Sequence, residues 1–354
     1  MGHRNDDKIR MRDVKPEAQT RSHPNLPPQA GEGTTSPLPP LRSGGGLGRG
    51  QSGLVAEGEA VPPHASRLSP HTHSAGAVRR ALRARRWHFQ HGPIDLIIGA
   101  DGETDAVDAA VEHAWSRFEF VLGELVSELP LLRLPVQDAS GVTGPVARRM
   151  VTACAPHRGE FITPMAAVAG AVADELIEFF RSDRHIARAY VNNGGDIALH
   201  LASGQSYGIG VFTDLDRVKR RELLQLDGEL QVHADLPVRG IATSGWRGRS
   251  FSLGIADSVT VLADCAAAAD AAATMVANCV NTDDPVILRQ PASTLKDDTD
   301  LGARLVTVSV GPLPEHKVQQ ALLSGAQRAE ALIARGLIHC AALWLQGRAR
   351  IVGC

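Results

Sequence analysis

The chain has little that could serve as a covalent or metallic scaffold. Its five cysteines, Cys154, Cys265, Cys279, Cys340 and Cys354, are odd in number, scattered, and include no Cys-x-x-Cys pair. That pattern predicts neither a disulfide framework nor a zinc cage, and it points to a reducing cytoplasm. Aromatic residues make up only 4% of the 354 residues, so the core must be built mainly from alanine and valine. Neither sign of charge is in excess: the formal net charge of −2 gives no reason to expect nucleic acid as a partner. No apolar core follows the early charges as a signal peptide would require. The longest alanine-rich run is broken by Asp264 and Asp270, which argues against a membrane span. What is present is a globular balance, 43% hydrophobic and 21% charged, long enough for one large domain or two.

Composition divides the chain. Residues 1–76 hold 10 of the 21 prolines and 11 of the 35 glycines, and cannot bury enough apolar surface to offset the entropy of ordering. They are expected to be a disordered extension, with the native translation start near residues 70–80. The domain proper is expected over residues 77–354.

Within it, a basic stretch of Arg79, Arg80, Arg83, Arg85 and Arg86 reads as a solvated lead-in to strands at 87–89 and 94–98. Residues 105–129 have apolar positions at helical spacing and an acidic first turn, and Pro130 is expected to end that helix. Pro145 suits the first turn of a helix over 147–155, and Thr163 before Pro164 reads as an N-cap ahead of a small-residue helix over 165–182. Strands are expected at 187–191, 197–202, 207–212, 230–233, 257–263 and 305–310, an alanine-rich helix carrying Asp270 and Thr274, a helix at 315–334, and a closing hairpin around Gln346-Gly347. Strands and helices mix without regular alternation, so the fold class is α+β with a largely antiparallel sheet.

Several short patterns carry chemistry. Asp270 and Thr274, four apart, share a helical face on which their oxygens can converge on a cation. Asn193-Gly194-Gly195-Asp196 between two strands is a hairpin signal, and its glycines also allow backbone amides close to a phosphate or flavin ring, with Asp196 as an acceptor. Thr243-Ser244-Gly245 reads as a turn whose two hydroxyls can meet pyrophosphate oxygens, with Arg247 and Arg249 following. Gly204 to Gly208 matches G-x-S-x-G, but strands on both sides make it a hairpin loop rather than a nucleophile elbow.

The order of these pieces adds to them. Gly-Gly-Asp-Ile, then Ala-Thr-Ser-Gly, then Ser258-Val-Thr-Val, then Ala269-Asp270-Ala-Ala-Ala-Thr274 resembles the ApbE family of flavin transferases, and AVAGAVAD ending at Asp174 resembles that family's small-residue helix along the flavin nucleotide. The resemblance covers residues 87–352, and the stretches FITPMAAVAGAVADE and ATSGWRGRSFSLGIAD are similar to a shorter branch of that superfamily. It implies an ApbE-like, T-fold-type architecture. It also implies a flavin nucleotide, FAD or FMN, bound at Asp174, Asn193, Gly194, Gly195, Asp196, Thr243, Ser244 and Gly245, and Mg²⁺ held by Asp270 and Thr274. The activity implied is FMN transfer to an acceptor protein, or cleavage of FAD.

Two departures bear on that activity. The family's Ser-His-Ile-x-Asp-Pro segment is missing, with no histidine between His233 and His316, and its lysine-glycine pair is replaced by Ala169-Gly170. The alternative is an accessory protein, for example in sulfur metabolism, that keeps the fold without flavin transfer. Cys154, beside His157 and Arg158, is its motivating residue, as a thiol whose pKa those neighbours could lower; the stronger reading of this residue is a buried, inert cysteine. The alanine-rich helices also suit close packing between subunits of a homo-oligomer.

Overall fold

The computed structural model describes residues 11–13, 76–211 and 228–354. The expectation for residues 1–76 therefore lies outside the described residues, except that Met11–Asp13 forms a short strand, β1.

The main body is a nine-stranded sheet in which every neighbouring pair is antiparallel. In chain order its strands are β2 (Val78–Leu82), β3 (Arg86–His91), β4 (Ile94–Gly102), β5 (Ile186–Asn193), β6 (Asp196–Leu201), β9 (Gly240–Ser244), β10 (Ser258–Ala263), β13 (Cys340–Leu345) and β14 (Arg348–Val352). They lie side by side as β14-β13-β10-β9-β6-β5-β4-β3-β2. A second sheet, β1-β8-β7, is completed by β7 (Ser206–Val211) and β8 (Gly228–His233). A two-stranded ribbon joins β11 (Ile287–Pro291) to β12 (Leu305–Val310). The mixed α+β class with a largely antiparallel sheet holds.

The helices are α1 (Thr104–Leu132), α2 (Pro145–Cys154), α3 (Val168–Arg181), α4 (Ala266–Cys279) and α5 (Glu315–Ala334). On one face of the sheet Phe89, Leu96, Ile98, Ala189, Val191 and Ala198 pack with α1, α2 and α3. Val259, Val261, Ala263, Ala341 and Leu343 pack with α4 and α5. Because side chains alternate along a strand, Leu199, Ile241, Leu262 and Cys340 face the other way, where they meet Val232 of β8 and Tyr207 of β7. Nine residues of α4 are buried, six of them alanines with 0–2% exposure from Ala266 to Ala273. The small side chains that suited subunit packing are spent inside the chain, where they let α4 lie close to both the sheet and α3.

Some local expectations change for identifiable reasons. Arg79 and Arg80 belong to an edge strand with every residue exposed, rather than to an irregular lead-in. Pro130 does not end α1, which continues to Leu132. In the last turn of a helix a proline removes only one backbone hydrogen bond. Thr163 precedes a 3-10 turn at Pro164–Ala167 but makes no side-chain cap bond, since its hydroxyl donates to Asp300. Residues 242–244 are strand β9 rather than a turn. Gly204 lies in a connection that leaves the nine-stranded sheet for the three-stranded one, so β6 and β7 do not form a hairpin. Strands still flank it on both sides, which excludes the nucleophile elbow as expected.

Cysteine pairing is a further correction. Cys340 on β13 and Cys354 at the C-terminus form a disulfide, with Cα atoms 5.2 Å apart. Their spacing along the chain showed nothing of this, because β13 and β14 must pair before the two residues meet.

Candidate functional site

The site is built around the first turn of α3. Asn193 and Asp196 face each other across a two-residue turn, in which Gly194 and Gly195 have φ of +68° and +118°. Those values favour glycine, so the hairpin reading of the sequence is correct. The side chain of Asn193 donates to the carbonyl of Ala169 at 3.1 Å, tying the turn to the start of α3. The amide of Gly195 already donates to Oδ1 of Asn192 at 2.9 Å and is therefore committed inside the turn. The guanidinium of Arg249 lies over Gly194, where a side chain would meet it at 3.0 Å.

Next to this turn, β9 pairs with β6. Asp196 shares the helix-facing side of β6 with Ala198, and its Oδ1 accepts the backbone N–H of Thr243 at 3.2 Å. Alternation along β9 then separates the two hydroxyls that the sequence placed together. The hydroxyl of Thr243 points away from the helices and pairs with that of Thr260 at 2.9 Å. Ser244, opposite Val259, lies on the helix side. Gly245 has a packing reason of its own, since a side chain there would collide with the carbonyl of Asp257. Arg247 is paired with Asp257 at 3.2 Å and lies over the ring of Trp246.

From the other side comes α4. Oδ2 of Asp270 accepts the N–H of Gly170 at 3.1 Å, and Thr274 follows one turn later on the same helix. Asp174 of α3 returns the contact, its two oxygens accepting Ala266 N–H at 2.9 Å and Ala267 N–H at 2.8 Å. Each helix thus uses a carboxylate from its second turn to satisfy free amides at the start of the other. The crossing is antiparallel, and Gly170 sits where any side chain would strike the backbone of Ala266.

The electrostatics single out one pair. Burial raises Asp196 to about 7, against the opposing pull of the Thr243 amide and the Arg249 guanidinium. Asp270 is pushed well above the ordinary carboxylate range by burial and then by the charge of Asp196, with the amides of Gly170 and Ala169 acting the other way. Asp174 is also raised by burial, with its two capping amides opposing. The structure therefore brings together Asn193, Gly194, Asp196, the Thr243 backbone and Asp270. It places Asp174 at the far end of the helix crossing and the Thr243 hydroxyl on the opposite face of the sheet. Among the described residues no three His, Cys, Asp or Glu side chains group as metal ligands. A hard cation here would have to use Asp196, Asp270, a hydroxyl and main-chain oxygens, the donor set that magnesium takes when waters complete its shell.

The amides of Ala169 and Gly170 are parts of this site that sequence reasoning did not name, because backbone groups carry no residue signature. Cys154 follows the inert reading rather than the activated one. It is 0% exposed and its thiol donates to the carbonyl of Thr163 at 3.4 Å. Burial, and then the charge of Asp270, push its pKa up rather than down. It is a buried, unreactive thiol.

Comparison with known proteins gives the family of the chain. The family model described as AbpE bacteria matches residues 79–351, and the chain belongs to that family. A UPF0280 protein of Methanopyrus kandleri is 32% identical over 208 residues, covering 58% of this chain and 78% of that protein. A UPF0280 protein of Methanothrix thermoacetophila is 30% identical over 227 residues, 63% of this chain and 88% of that one. Among solved structures, an ApbE protein from Thermotoga maritima is matched over 78% of this chain and 96% of its own, with a TM-score of 0.38 and 13% identity. Among the described residues no helix is long and apolar enough to cross a membrane.

Proposed function

We propose that the chain binds a flavin nucleotide, FAD or FMN, through its phosphates, together with Mg²⁺ held by Asp196, Asp270 and Thr274. The observation that carries this reading is that the Asp196 turn and Asp270 both meet the start of α3, Asn193 at the carbonyl of Ala169 and Asp270 at the amide of Gly170, the charge of Asp196 raising the pKa of Asp270. Two such groups lower their joint cost when a divalent cation replaces the shared proton. Arg249 over the bare Gly194 turn supplies a guanidinium for a phosphate oxygen, and membership of the family supports a flavin-related role.

The residues divide the work. Asp196 and Asp270 hold charge of opposite sign to the cation. Their contacts to Thr243 and Gly170 fix the directions of the carboxyl planes, so the site is set before ligand arrives. When bound, the cation polarises a diphosphate toward attack. FMN transfer to an acceptor protein, or FAD cleavage, are the reactions such a site would serve. This chain has no histidine between His233 and His316, where the ApbE flavin transferases it resembles carry a histidine segment, so binding is the primary claim. The accessory-protein reading loses its motivating residue with the burial of Cys154.

The test is calorimetric titration of FAD into purified protein with and without Mg²⁺. Binding is expected to need Mg²⁺ and to weaken about tenfold or more in Asp270→Asn, which keeps an acceptor oxygen for Gly170. No binding at millimolar FAD with Mg²⁺, or equal binding by the variant, would sink the reading.

A further inference from the structure

A cavity of about 490 Å³ lies between α2 and the start of α4, and of the residues the family resemblance assigns to flavin or metal only Asp174 lines it. We infer that this cavity is a second binding site, for a small organic anion that carries a carboxylate or phosphate monoester on an apolar body. The inference does not depend on the flavin reading.

The wall is one face of α2. Pro145, Arg148, Arg149, Thr152, Ala153 and Pro156 line the cavity at spacings of three and four residues. The opposite face, Val146, Ala147, Met150 and Cys154, is buried in the core. A polar helix face ordinarily meets solvent. This one does so at Arg148 and Thr152, while across a half-open cleft it faces the apolar surface of Ala267, Ala268 and Leu337. Nε of Arg149 is held by Glu175 at 3.1 Å, a carboxylate it shares with Arg117, so its guanidinium is oriented before any ligand binds. Arg148 is exposed, and its charge acts on Glu128 of α1.

The first-turn amides of α4 do not provide the anion site, because Asp174 already occupies them. The anionic group belongs on the arginine wall, where a planar fork meets carboxylate or phosphate oxygens in pairs. His157 is 4% exposed, lines the cavity, and its Nδ1 has no hydrogen-bond partner among the described residues. Burial, then Arg328 and Arg335, lower its pKa to about 4, so the ring is neutral in a positive field. Its Nδ1 has no accessible surface, so the ring contributes a neutral wall to the cavity rather than a contact. The volume exceeds what a bare inorganic ion needs and falls within the range of small-molecule pockets.

The test uses phenyl phosphate and benzoate as probes, with inorganic phosphate and benzyl alcohol as controls, each titrated into the full-length chain. One of the aryl anions is expected to saturate a single site about tenfold or more tighter than either control, and to weaken about tenfold in Arg148→Ala while Asp270→Asn leaves it unchanged. Circular dichroism checks that each variant is folded. Absence of saturable binding by both aryl anions to about 10 mM, or unchanged binding by Arg148→Ala, overturns the site. Loss of FAD binding in Arg148→Ala would overturn its separateness from the first. Failure of FAD to bind the wild-type chain touches only the flavin reading.

Discussion

Asp196 and Asp270 each carry two burdens, since both accept a backbone hydrogen bond and each faces the other's charge. The sign of the consequence is definite. A folded-state pKa of about 7 for Asp196, against an ordinary 3.8, means that the folded chain holds more protons than the unfolded one between those values. This group's contribution to stability therefore falls as pH rises from about 4 to about 7 and is flat above that. Asp196→Asn removes the charge and keeps the acceptor for Thr243. It is expected to be more stable than wild type near pH 8, with the difference closing toward about pH 4 in urea unfolding curves. Adding Mg²⁺ at pH 8 should narrow the gap by stabilising the wild type alone. A gap that does not change with pH would show that burial does not raise Asp196. Asp174 behaves differently, because both its oxygens accept amides of α4. Asp174→Ala strips two caps at once and is expected to cost about 2–4 kcal/mol in the same measurement.

At the scale of elements, the crossing of α3 and α4 controls the geometry of the site. Gly170 touches the backbone of Ala266, and Gly240 at the start of β9 touches that of Cys265 and Ala266 from the other side. The first turn of α4 is thus gripped between a helix and a strand, with no room for a methyl group on either. Gly170→Ala is expected to cost about 1–3 kcal/mol by forcing the helices apart. It should also weaken Mg²⁺-dependent FAD binding, because Asp270 moves with α4. Loss of stability with unchanged binding would show that the crossing does not position the carboxylate. The same closeness explains the composition of α4, since a chain of larger residues could not sit within reach of both α3 and the sheet.

For the whole molecule, the nine-stranded antiparallel sheet carries helices on one face and, over part of the other, a three-stranded sheet. Its C-terminal hairpin returns Cys354 to Cys340 and closes a loop with a sequence separation of 14 residues. Oxidised protein unfolded in denaturant should therefore titrate three thiols, Cys154, Cys265 and Cys279, and reduced protein five. Closing a loop of this length constrains the unfolded chain, so Cys354→Ser is expected to lower stability by about 2–4 kcal/mol under non-reducing conditions and to match the reduced wild type. Five thiols in protein prepared without reductant would count against the link.

The sequence by itself determined most of the elements and the Gly194-Gly195 turn, because those depend on periodicity and on glycine's access to positive φ, both local properties. It also brought the family into view, since the order of short motifs survives in the chain. Only the tertiary structure decided which atoms meet. Strand pairing put the hydroxyls of Thr243 and Ser244 on opposite faces of the sheet. Helix crossing turned Asp174 and Asp270 into caps for each other, hairpin closure joined two cysteines, and burial silenced Cys154. Each of these turns on register or on backbone groups from distant segments, and neither is written in the spacing of side chains along one stretch.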